Sequence, residues 1–322
     1  MKVCVLGATG FIGGHIARKS VAAGWQVRAL RRDPRKTGNI PDLDIGWQEG
    51  NLADRASLVA AMDGCDVVFH ASAYYPTGAG DVARQVRYAV REIRNVLAAA
   101  RTAGVGRVVY TSSLTTIGPP GEPGRLADER DLYRPGTVAG SAYYEAKYAM
   151  EREALQASDS VPVVVLNPSA CFGPGDVKPS TGGILIMAAR GRALGYIDAV
   201  TNFVDVRTVA QAHLAAAQIG RPGARYLVGG RNMTVRAALA VVARVAHVRP
   251  PMFRIPNAAL AALVAVARWA PQLGLPVNHL QAIPHWQALS CEKANREFGL
   301  EHPPFEVTVK DALDWFRAHG RL

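Results

Sequence analysis

MKVCVLGATGFIGG, residues 1–14, opens the chain and decides the fold that we expect. A short apolar run typical of a buried parallel strand leads into glycines at 7, 10 and 13, and a helical pattern follows from Phe11 to Ala22. Glycine permits a tight turn and close approach of a phosphate, and a helix N-terminus offers free N–H groups. The stretch therefore predicts a pyrophosphate-binding turn, with an ordinary glycine turn as the alternative.

Composition predicts an ordered globular protein. The chain has 322 residues, of which 49% are hydrophobic and 20% charged, enough for a full core and for two domains. The formal net charge is +11, but the basic residues are scattered and no basic stripe with interleaved aromatics is present. We therefore expect no nucleic-acid binding, and an anionic cofactor or substrate is the simpler use of the charge.

The cysteines predict reduced thiols in a cytoplasmic protein. Cys4, Cys65, Cys171 and Cys291 are far apart and form no C-x-x-C pair, so neither a disulfide framework nor a metal site is expected. The N-terminus leads straight into a strand, which is not the pattern of a signal peptide. The apolar stretch 258–267 is too short to cross a bilayer, and no integral membrane segment is predicted.

Strand and helix patterns alternate through the first half of the chain, which predicts a doubly wound parallel α/β sheet. After the first strand, further strands are expected at residues 25–30, 45–48, 66–70, 107–113 and 161–166. We predict a nucleotide-binding domain over residues 1–175, with a late strand near 202–230 returning to it. Residues 176–322 are expected to form mainly a smaller, largely helical substrate lobe.

The end of the second strand points to the cofactor. An acidic residue there suits the ribose hydroxyls of NAD, whereas arginine suits the 2′-phosphate of NADP. Arg31 and Arg32 stand at this position, and Lys36 follows shortly after. The pattern favours NADP(H) over NAD(H), although a solvated basic turn is the alternative.

Hydroxyl, phenol and ammonium groups indicate the chemistry. The fifth strand ends in Thr111-Ser112-Ser113, and the next helix carries Tyr143 and Lys147 four residues apart, on one face. A free tyrosine has a pKa of about 10. A nearby ammonium and a cationic nicotinamide would lower that pKa, so Tyr143 could exchange a proton with a carbonyl or an alcohol. His70, at the end of the fourth strand, is a weaker candidate base and more simply structural.

The order and separation of three motifs resemble the extended short-chain dehydrogenase/reductases. The motifs are Gly7-x-x-Gly10-x-x-Gly13, Thr111-Ser112-Ser113 and Tyr143-x-x-x-Lys147. The resemblance covers nearly the whole chain and implies a Rossmann-type fold. Residues 167–179 are similar to two groups within it, the dihydroflavonol 4-reductase-like reductases and the hopanoid-associated sugar epimerases.

The resemblance also implies roles for individual residues. Ser113, Tyr143 and Lys147 match the catalytic positions, with Gly118 setting the register that selects Ser113 over Ser112. Arg32 matches the 2′-phosphate arginine. The candidate cofactor-binding residues are Gly7, Thr9, Gly10, Phe11, Ile12, Gly13, Arg31, Arg32, Lys36, Asn51, Leu52, Ala71, Ser72, Ala73, Tyr143, Lys147, Pro168, Ser169, Ala170 and Cys171. No metal ligand is implied.

Two segments depart from the family pattern. Residues 89–93 replace the usual Asn-Val-x-Gly-Thr ahead of Asn95, which puts a proton-relay asparagine in doubt. Residues 204–208 replace the usual Val-His-Val-Asp-Asp, which bears on packing around the cleft. The apolar helix near 258–269 is most simply packed within the small lobe, with a hydrophobic substrate pocket or a membrane surface as alternatives.

These observations favour an NADP(H)-dependent ketone reductase or alcohol dehydrogenase that acts on a fairly apolar small molecule. Asn167 before Pro168 supports this, because nucleotide-sugar enzymes of the family usually have arginine there. The alternatives are an NAD-dependent sugar-nucleotide epimerase or dehydratase and a non-catalytic NADP sensor. A homodimer is the expected assembly.

Overall fold

The computed structural model describes residues 1–72, 81–179, 181–269 and 280–322. Its strands, in chain order, are β1 (Lys2–Leu6), β2 (Gln26–Arg31), β3 (Gly46–Glu49), β4 (Val67–His70), β5 (Arg107–Thr111), β6 (Val163–Pro168), β7 (Ala170–Phe172), β8 (Gly195–Ile197), β9 (Val200–Asp205), β10 (Arg225–Val228), β11 (Arg231–Thr234) and β12 (Phe253–Ile255). Its helices are α1 (Phe11–Ala22), α2 (Arg55–Met62), α3 (Val82–Thr102), α4 (Ala142–Gln156), α5 (Gly182–Ala189), α6 (Val206–Ile219), α7 (Val235–Ala246), α8 (Asn257–Trp269), α9 (Glu292–Phe298) and α10 (Phe305–Ala318).

A parallel seven-stranded sheet carries the main core. Its strand order is β10-β6-β5-β4-β1-β2-β3, and every neighbouring pair is parallel. One face packs against α1 and α6, and the other against α2, α3 and α4. The predicted doubly wound, Rossmann-type fold is confirmed. The strand order reverses beside β1 and β4, where open parallel sheets bind their ligands.

A second core lies outside this sheet. Strands β7, β9 and β11 form a three-stranded sheet, and β8 pairs with β12. Helices α5, α7 and α10 pack around Phe172, Phe203 and Phe305. Strand β10 pairs with β6 in the main sheet, so the chain returns to that sheet after residue 175. The domain division at residue 175 stays a prediction.

Local chemistry sets several element ends. The side chain of Ser141 caps α4 by accepting from the N–H of Tyr144, as expected of a serine ahead of a helix. Helix α10 begins at Phe305, directly after Pro304, because proline fits just ahead of the first turn of a helix. Strand β5 ends at Thr111, and a short 3₁₀ helix follows at Leu114–Thr116. Ser113 caps this helix, because its Oγ accepts from the N–H of Thr115.

Helix α8 is less buried than expected for a helix packed within the small lobe. Leu260 is buried, but Leu263, Val266 and Trp269 on the same helix are exposed. The described part of this helix therefore leaves apolar side chains at the surface and does not pack wholly within the lobe. No helix among the described residues is both long and apolar enough to cross a bilayer.

Candidate active site

The glycine turn after β1 is shaped by close backbone contacts. Gly7 has φ +96°, and the N–H of Gly10 donates to its carbonyl at 2.8 Å. A Cβ on Gly13 would lie 2.1 Å from the Gly7 oxygen. Strand end and helix start are thus closer together than side chains allow, which is why glycine is required at both positions.

Helix α1 begins with its N–H groups uncapped by side chains. Gly10 is the N-cap residue and provides no side-chain hydrogen bond, and the first turn contains no acidic residue. Thr9, Phe11 and Ile12 flank this point. Free N–H groups and the positive end of the helix dipole, beside a turn without side chains, fit the pyrophosphate of a dinucleotide.

The end of β4 packs directly against the glycine turn. The N–H of Ala71 donates to Leu6 O at 2.9 Å, and a Cβ on Gly7 would lie 2.8 Å from the Ser72 nitrogen. Ala71 and Ser72 therefore lie beside the predicted pyrophosphate position. Ala73, the third residue predicted here, lies outside the described residues.

The basic turn after β2 has a mixed arrangement. The Arg31 guanidinium lies over the Trp47 ring at 4.8 Å, and its buried Nε has no hydrogen-bond partner among the described residues. Arg32 is exposed. Lys36 lies 3.6 Å from the carboxylate of Asp33, which also pairs with Arg35 at 3.0 Å. Lys36, predicted to assist at the 2′-phosphate, is therefore already paired with an acidic neighbour.

Asn51 and Leu52 lie just before α2. Asn51 Oδ1 accepts from the N–H groups of Ala53 and Asp54, at 2.8 and 3.2 Å, so its side-chain oxygen shapes the turn. Asn95 donates from α3 to the carbonyl of Leu52 at 3.0 Å. That contact places the Asn95 amide against this loop, in a structural role.

Tyr143 and Ser113 meet at the carboxyl end of β5. The Tyr143 hydroxyl donates to Ser113 Oγ at 3.3 Å. The neighbouring Ser112 hydroxyl points elsewhere and donates to the Glu151 carboxylate. The structure thus brings Ser113, and not Ser112, to the phenol.

Lys147 lies one turn further along α4 and is buried. Its Nζ donates to the carbonyls of Thr111 and Ser112, at 3.3 and 3.4 Å, and sits 5.8 Å from the Tyr110 ring centre. Burial lowers the pKa of Lys147 to about 8, against the opposing charge of Glu151. The ammonium is therefore held on two backbone carbonyl oxygens at the end of β5.

The pKa of Tyr143 departs from the expectation. Burial raises it to about 12, and the hydrogen bond with Ser113 opposes this only in part. We expected Lys147 to lower the pKa, but desolvation of the phenolate outweighs the nearby groups of the chain.

His70, the last residue of β4, is fully buried. Burial and the charge of Lys147 lower its pKa to about 3, and neither ring nitrogen has a hydrogen-bond partner among the described residues. A buried imidazole with so low a pKa binds a proton weakly, which agrees with the structural role that the sequence favours for His70.

Residues 168–171 lie where the chain leaves the main sheet. The N–H of Ser169 donates to Val228 O at 2.9 Å, and Ala170 begins β7 in the smaller sheet. Ser169 Oγ is buried and has no partner among the described residues, as expected if a ligand supplies one. Pro168 and Cys171 are buried on either side, which suits the predicted nicotinamide flank.

Glu151 is a residue that the sequence interpretation missed. It follows Lys147 by four residues on α4, is 3% exposed, and contacts side chains from β6, β10 and the turn after β5. The signal was present, because Tyr143, Lys147 and Glu151 share one spacing, but an acidic residue on a helix is usually solvated.

Comparison with known proteins identifies the family. Residues 3–229 match the profile of the NAD dependent epimerase/dehydratase family. The chain belongs to this family. It is an NAD(P)-dependent enzyme of the extended short-chain dehydrogenase/reductase type and acts on a small molecule.

Individual relatives carry two kinds of name. A Synechocystis protein named as a dihydroflavonol 4-reductase is 34% identical over 98% of this chain and 94% of its own. A 4-hydroxy-2-methyl-3-oxo-4-farnesyl-3,4-dihydroquinoline-1-oxide ketoreductase from Stigmatella aurantiaca is 30% identical over 99% and 97%. The crystal structure of a nucleoside-diphosphate-sugar epimerase from Pseudomonas aeruginosa superposes with a TM-score of 0.85, at 26% identity over 100% and 99%.

Proposed function

We propose that this protein is an NADP(H)-dependent oxidoreductase that reduces a ketone, or oxidises the corresponding alcohol, of a fairly apolar small molecule. The observation that carries the proposal is the 3.3 Å contact between Tyr143 Oη and Ser113 Oγ, with the Lys147 ammonium one helical turn away. A phenol, a second hydroxyl and a cation converge at the carboxyl ends of the strands, beside a turn suited to a dinucleotide.

Each residue has a distinct part in this reaction. Tyr143 donates its proton to the carbonyl oxygen during reduction and accepts it back during oxidation. Ser113 donates a hydrogen bond to the same oxygen as negative charge develops there. Lys147 binds the ribose next to the nicotinamide and stabilises the phenolate left by proton transfer. NADPH, when bound, supplies the hydride that reaches the carbonyl carbon.

The preference for NADP(H) rests on the basic turn. Arg31 and Arg32 stand at the end of β2, and Arg32 is exposed, where a guanidinium suits a 2′-phosphate. Lys36 contributes less directly, because Asp33 holds it at 3.6 Å. Residues 31 and 32 are both arginines, so the end of β2 itself carries no acidic residue that would favour the unphosphorylated ribose of NAD.

The names of the two relatives support reduction of an apolar ketone. One is named as a dihydroflavonol 4-reductase and the other as a ketoreductase of a farnesyl-dihydroquinoline-1-oxide. The alternative is an NAD-dependent epimerase or dehydratase of nucleotide sugars, which the structural similarity to the Pseudomonas epimerase favours. The cytoplasmic location and the homodimer stay predictions.

Identification of the nucleotide that copurifies with the protein separates these functions. A reductase should release its nucleotide on dilution and then oxidise NADPH in the presence of hydrophobic ketones. An epimerase should retain NAD through purification and interconvert the epimers of a UDP-sugar. It should not oxidise added NADPH with any of the hydrophobic ketones tested. The second pattern would overturn the proposed function.

A further inference from the structure

A buried carboxylate lies directly behind the proposed catalytic pair. Tyr143, Lys147 and Glu151 follow one another at intervals of four residues on α4, so they share one face of the helix. The first two face the cofactor cleft, while Glu151 is 3% exposed in the interior. A carboxylate in that position is costly unless it is both ion-paired and hydrogen-bonded.

Glu151 meets both requirements through three separate elements. Its Oε1 lies 2.6 Å from Nε of Arg225, the first residue of β10. Its Oε2 accepts from Thr116 Oγ1 at 2.8 Å and from Asn167 Nδ2 at 2.6 Å, and it also accepts from the Ser112 hydroxyl. One side chain on α4 therefore ties together β6, β10 and the turn that follows β5.

These contacts bracket Ser113. Ser112 and Thr116, on either side of it, both bind Glu151. The Ser113 carbonyl accepts from Asn167 Nδ2 at 3.3 Å and lies 3.0 Å from Thr116 Oγ1, whose single proton it shares with Glu151 as an alternative acceptor. The backbone around Ser113 is thus held by the same carboxylate that anchors α4. These contacts fix the position of the Ser113 hydroxyl relative to the Tyr143 hydroxyl.

Arg225 keeps the carboxylate in place. It is 7% exposed, and its Nη1 donates to the carbonyl of Glu129 at 2.7 Å while Nη2 donates to the carbonyl of Thr116 at 3.0 Å. The guanidinium therefore contacts the turn after β5 directly as well as through Glu151. Planar, multidentate contacts of this kind give orientation as well as energy.

We propose that Glu151 is a positioning residue, which, held by Arg225, fixes the Ser113 hydroxyl opposite Tyr143 and orients α4 for proton transfer. The inference rests on the proposed roles of Ser113 and Tyr143. Glu151 itself touches none of the reacting atoms, because its oxygens are occupied by the partners described above.

The charge of Glu151 also bears on Lys147. The groups that face Lys147 are Tyr143 and Glu151 from α4, Tyr110 from β5 and His70 from β4. His70 is neutral, and Glu151 is the acid among them. Its charge raises the pKa of Lys147 against the larger effect of burial, so it helps to keep the ammonium protonated.

The first test compares Glu151→Gln with Glu153→Gln. Glu153 is on the same helix and also pairs with an arginine, Arg94, at 2.7 Å, but on the exposed side. We expect Glu151→Gln to lower kcat about tenfold, with KM and the Kd for NADPH almost unchanged. Glu153→Gln should leave all three within about twofold of the original protein.

The second readout is the pH profile of kcat. Because Lys147 must be charged, reduction should fall as the pH rises through its pKa. Removing the Glu151 charge lowers that pKa, so the fall should move to lower pH in Glu151→Gln and stay in place in Glu153→Gln. A merely structural contribution of Glu151 would lower the melting temperature without moving the profile. An unchanged profile and kcat in folded Glu151→Gln overturn the proposal.

A double variant covers the case in which Glu151→Gln does not fold. Glu151→Gln with Arg225→Gln removes both charges and should melt at a higher temperature than Arg225→Gln alone, which leaves a buried carboxylate unpaired. In its crystal structure, the distance from Ser113 Oγ to Tyr143 Oη should exceed 3.5 Å. A retained contact overturns the positioning role even without an activity assay. If Tyr143→Phe is fully active, the proposed function fails instead.

Discussion

The Tyr143 face of α4 and the basic turn at residues 31–36 are held in opposite ways. Around Tyr143, side chains from several strands and turns converge in the interior, and the polar groups are fixed by neighbours within 3.5 Å. The basic turn lies at the surface, where Asp33 competes for two of its cations. In the proposed function, the reaction type therefore depends on groups fixed in the core, whereas the cofactor preference depends on a balance of exposed charges.

The largest effect should come from the phenol of Tyr143. Tyr143→Phe removes the proton donor and should lower kcat roughly 100- to 10,000-fold, with little change in NADPH affinity. Steady-state kinetics and NADPH fluorescence titration measure the two quantities. Tyr144→Phe is the matched control, since Tyr144 is the adjacent residue, packs against Tyr133, and should lose little activity. Equal rates for both variants would mean that Tyr143 is not the proton donor.

A smaller but selective effect is expected at the basic turn. Arg32→Ala removes a charge-assisted contact with the 2′-phosphate and should weaken NADPH binding about 10- to 100-fold. NADH binding should change little. Arg35→Ala is the control, because Arg35 is paired with Asp33 and is not a predicted ligand. Equal weakening of NADPH and NADH by Arg32→Ala would refute the NADP preference.

The pH dependence of ketone reduction tests the role of the buried Lys147. The pKa of Lys147 in the folded chain is about 8, below its usual value of 10.5, because of burial. Ketone reduction needs the charged ammonium, so kcat/KM should fall about tenfold per pH unit above that value. Initial rates between pH 6 and about 10 give the profile. A flat profile over this range would contradict the assigned role of Lys147.

The smallest expected effect is a gain in NADPH affinity when Asp33 is replaced. Asp33→Asn removes a negative charge from the turn and releases Lys36, so NADPH binding should strengthen by up to about fivefold. High salt should abolish the gain, because the charges are exposed. Fluorescence titration at low and high ionic strength measures it. Weaker NADPH binding at low salt would show that Asp33 orients the turn and does not compete with the phosphate.

The two regions also differ in how far sequence could predict them. The glycine turn, α1 and the sheet follow from local periodicity, and the shared face of Tyr143 and Lys147 follows from helix geometry. The pairing of Lys36 with Asp33 was not predictable, because it depends on competition between exposed side chains. The raised pKa of Tyr143 was missed as well, since it reflects burial and not the neighbours along the helix.

Long-range contacts were the other limit. Arg225 pairs with Glu151 from a distant part of the chain, and no periodicity in either segment points to the other. The exposed apolar surface of α8 was likewise hidden, because an apolar helix normally indicates burial and only the tertiary structure shows which side chains are left outside.

Transfer of a labelled hydride tests the central claim most directly. Purified protein is incubated with a hydrophobic ketone and with NADPH carrying deuterium at C4, using each of the two C4 epimers in turn. The account predicts an alcohol with deuterium on the carbinol carbon from one epimer, and almost none from Tyr143→Phe in the same time. Absence of labelled alcohol from both epimers and every ketone tried, with NAD retained by the protein, would contradict it.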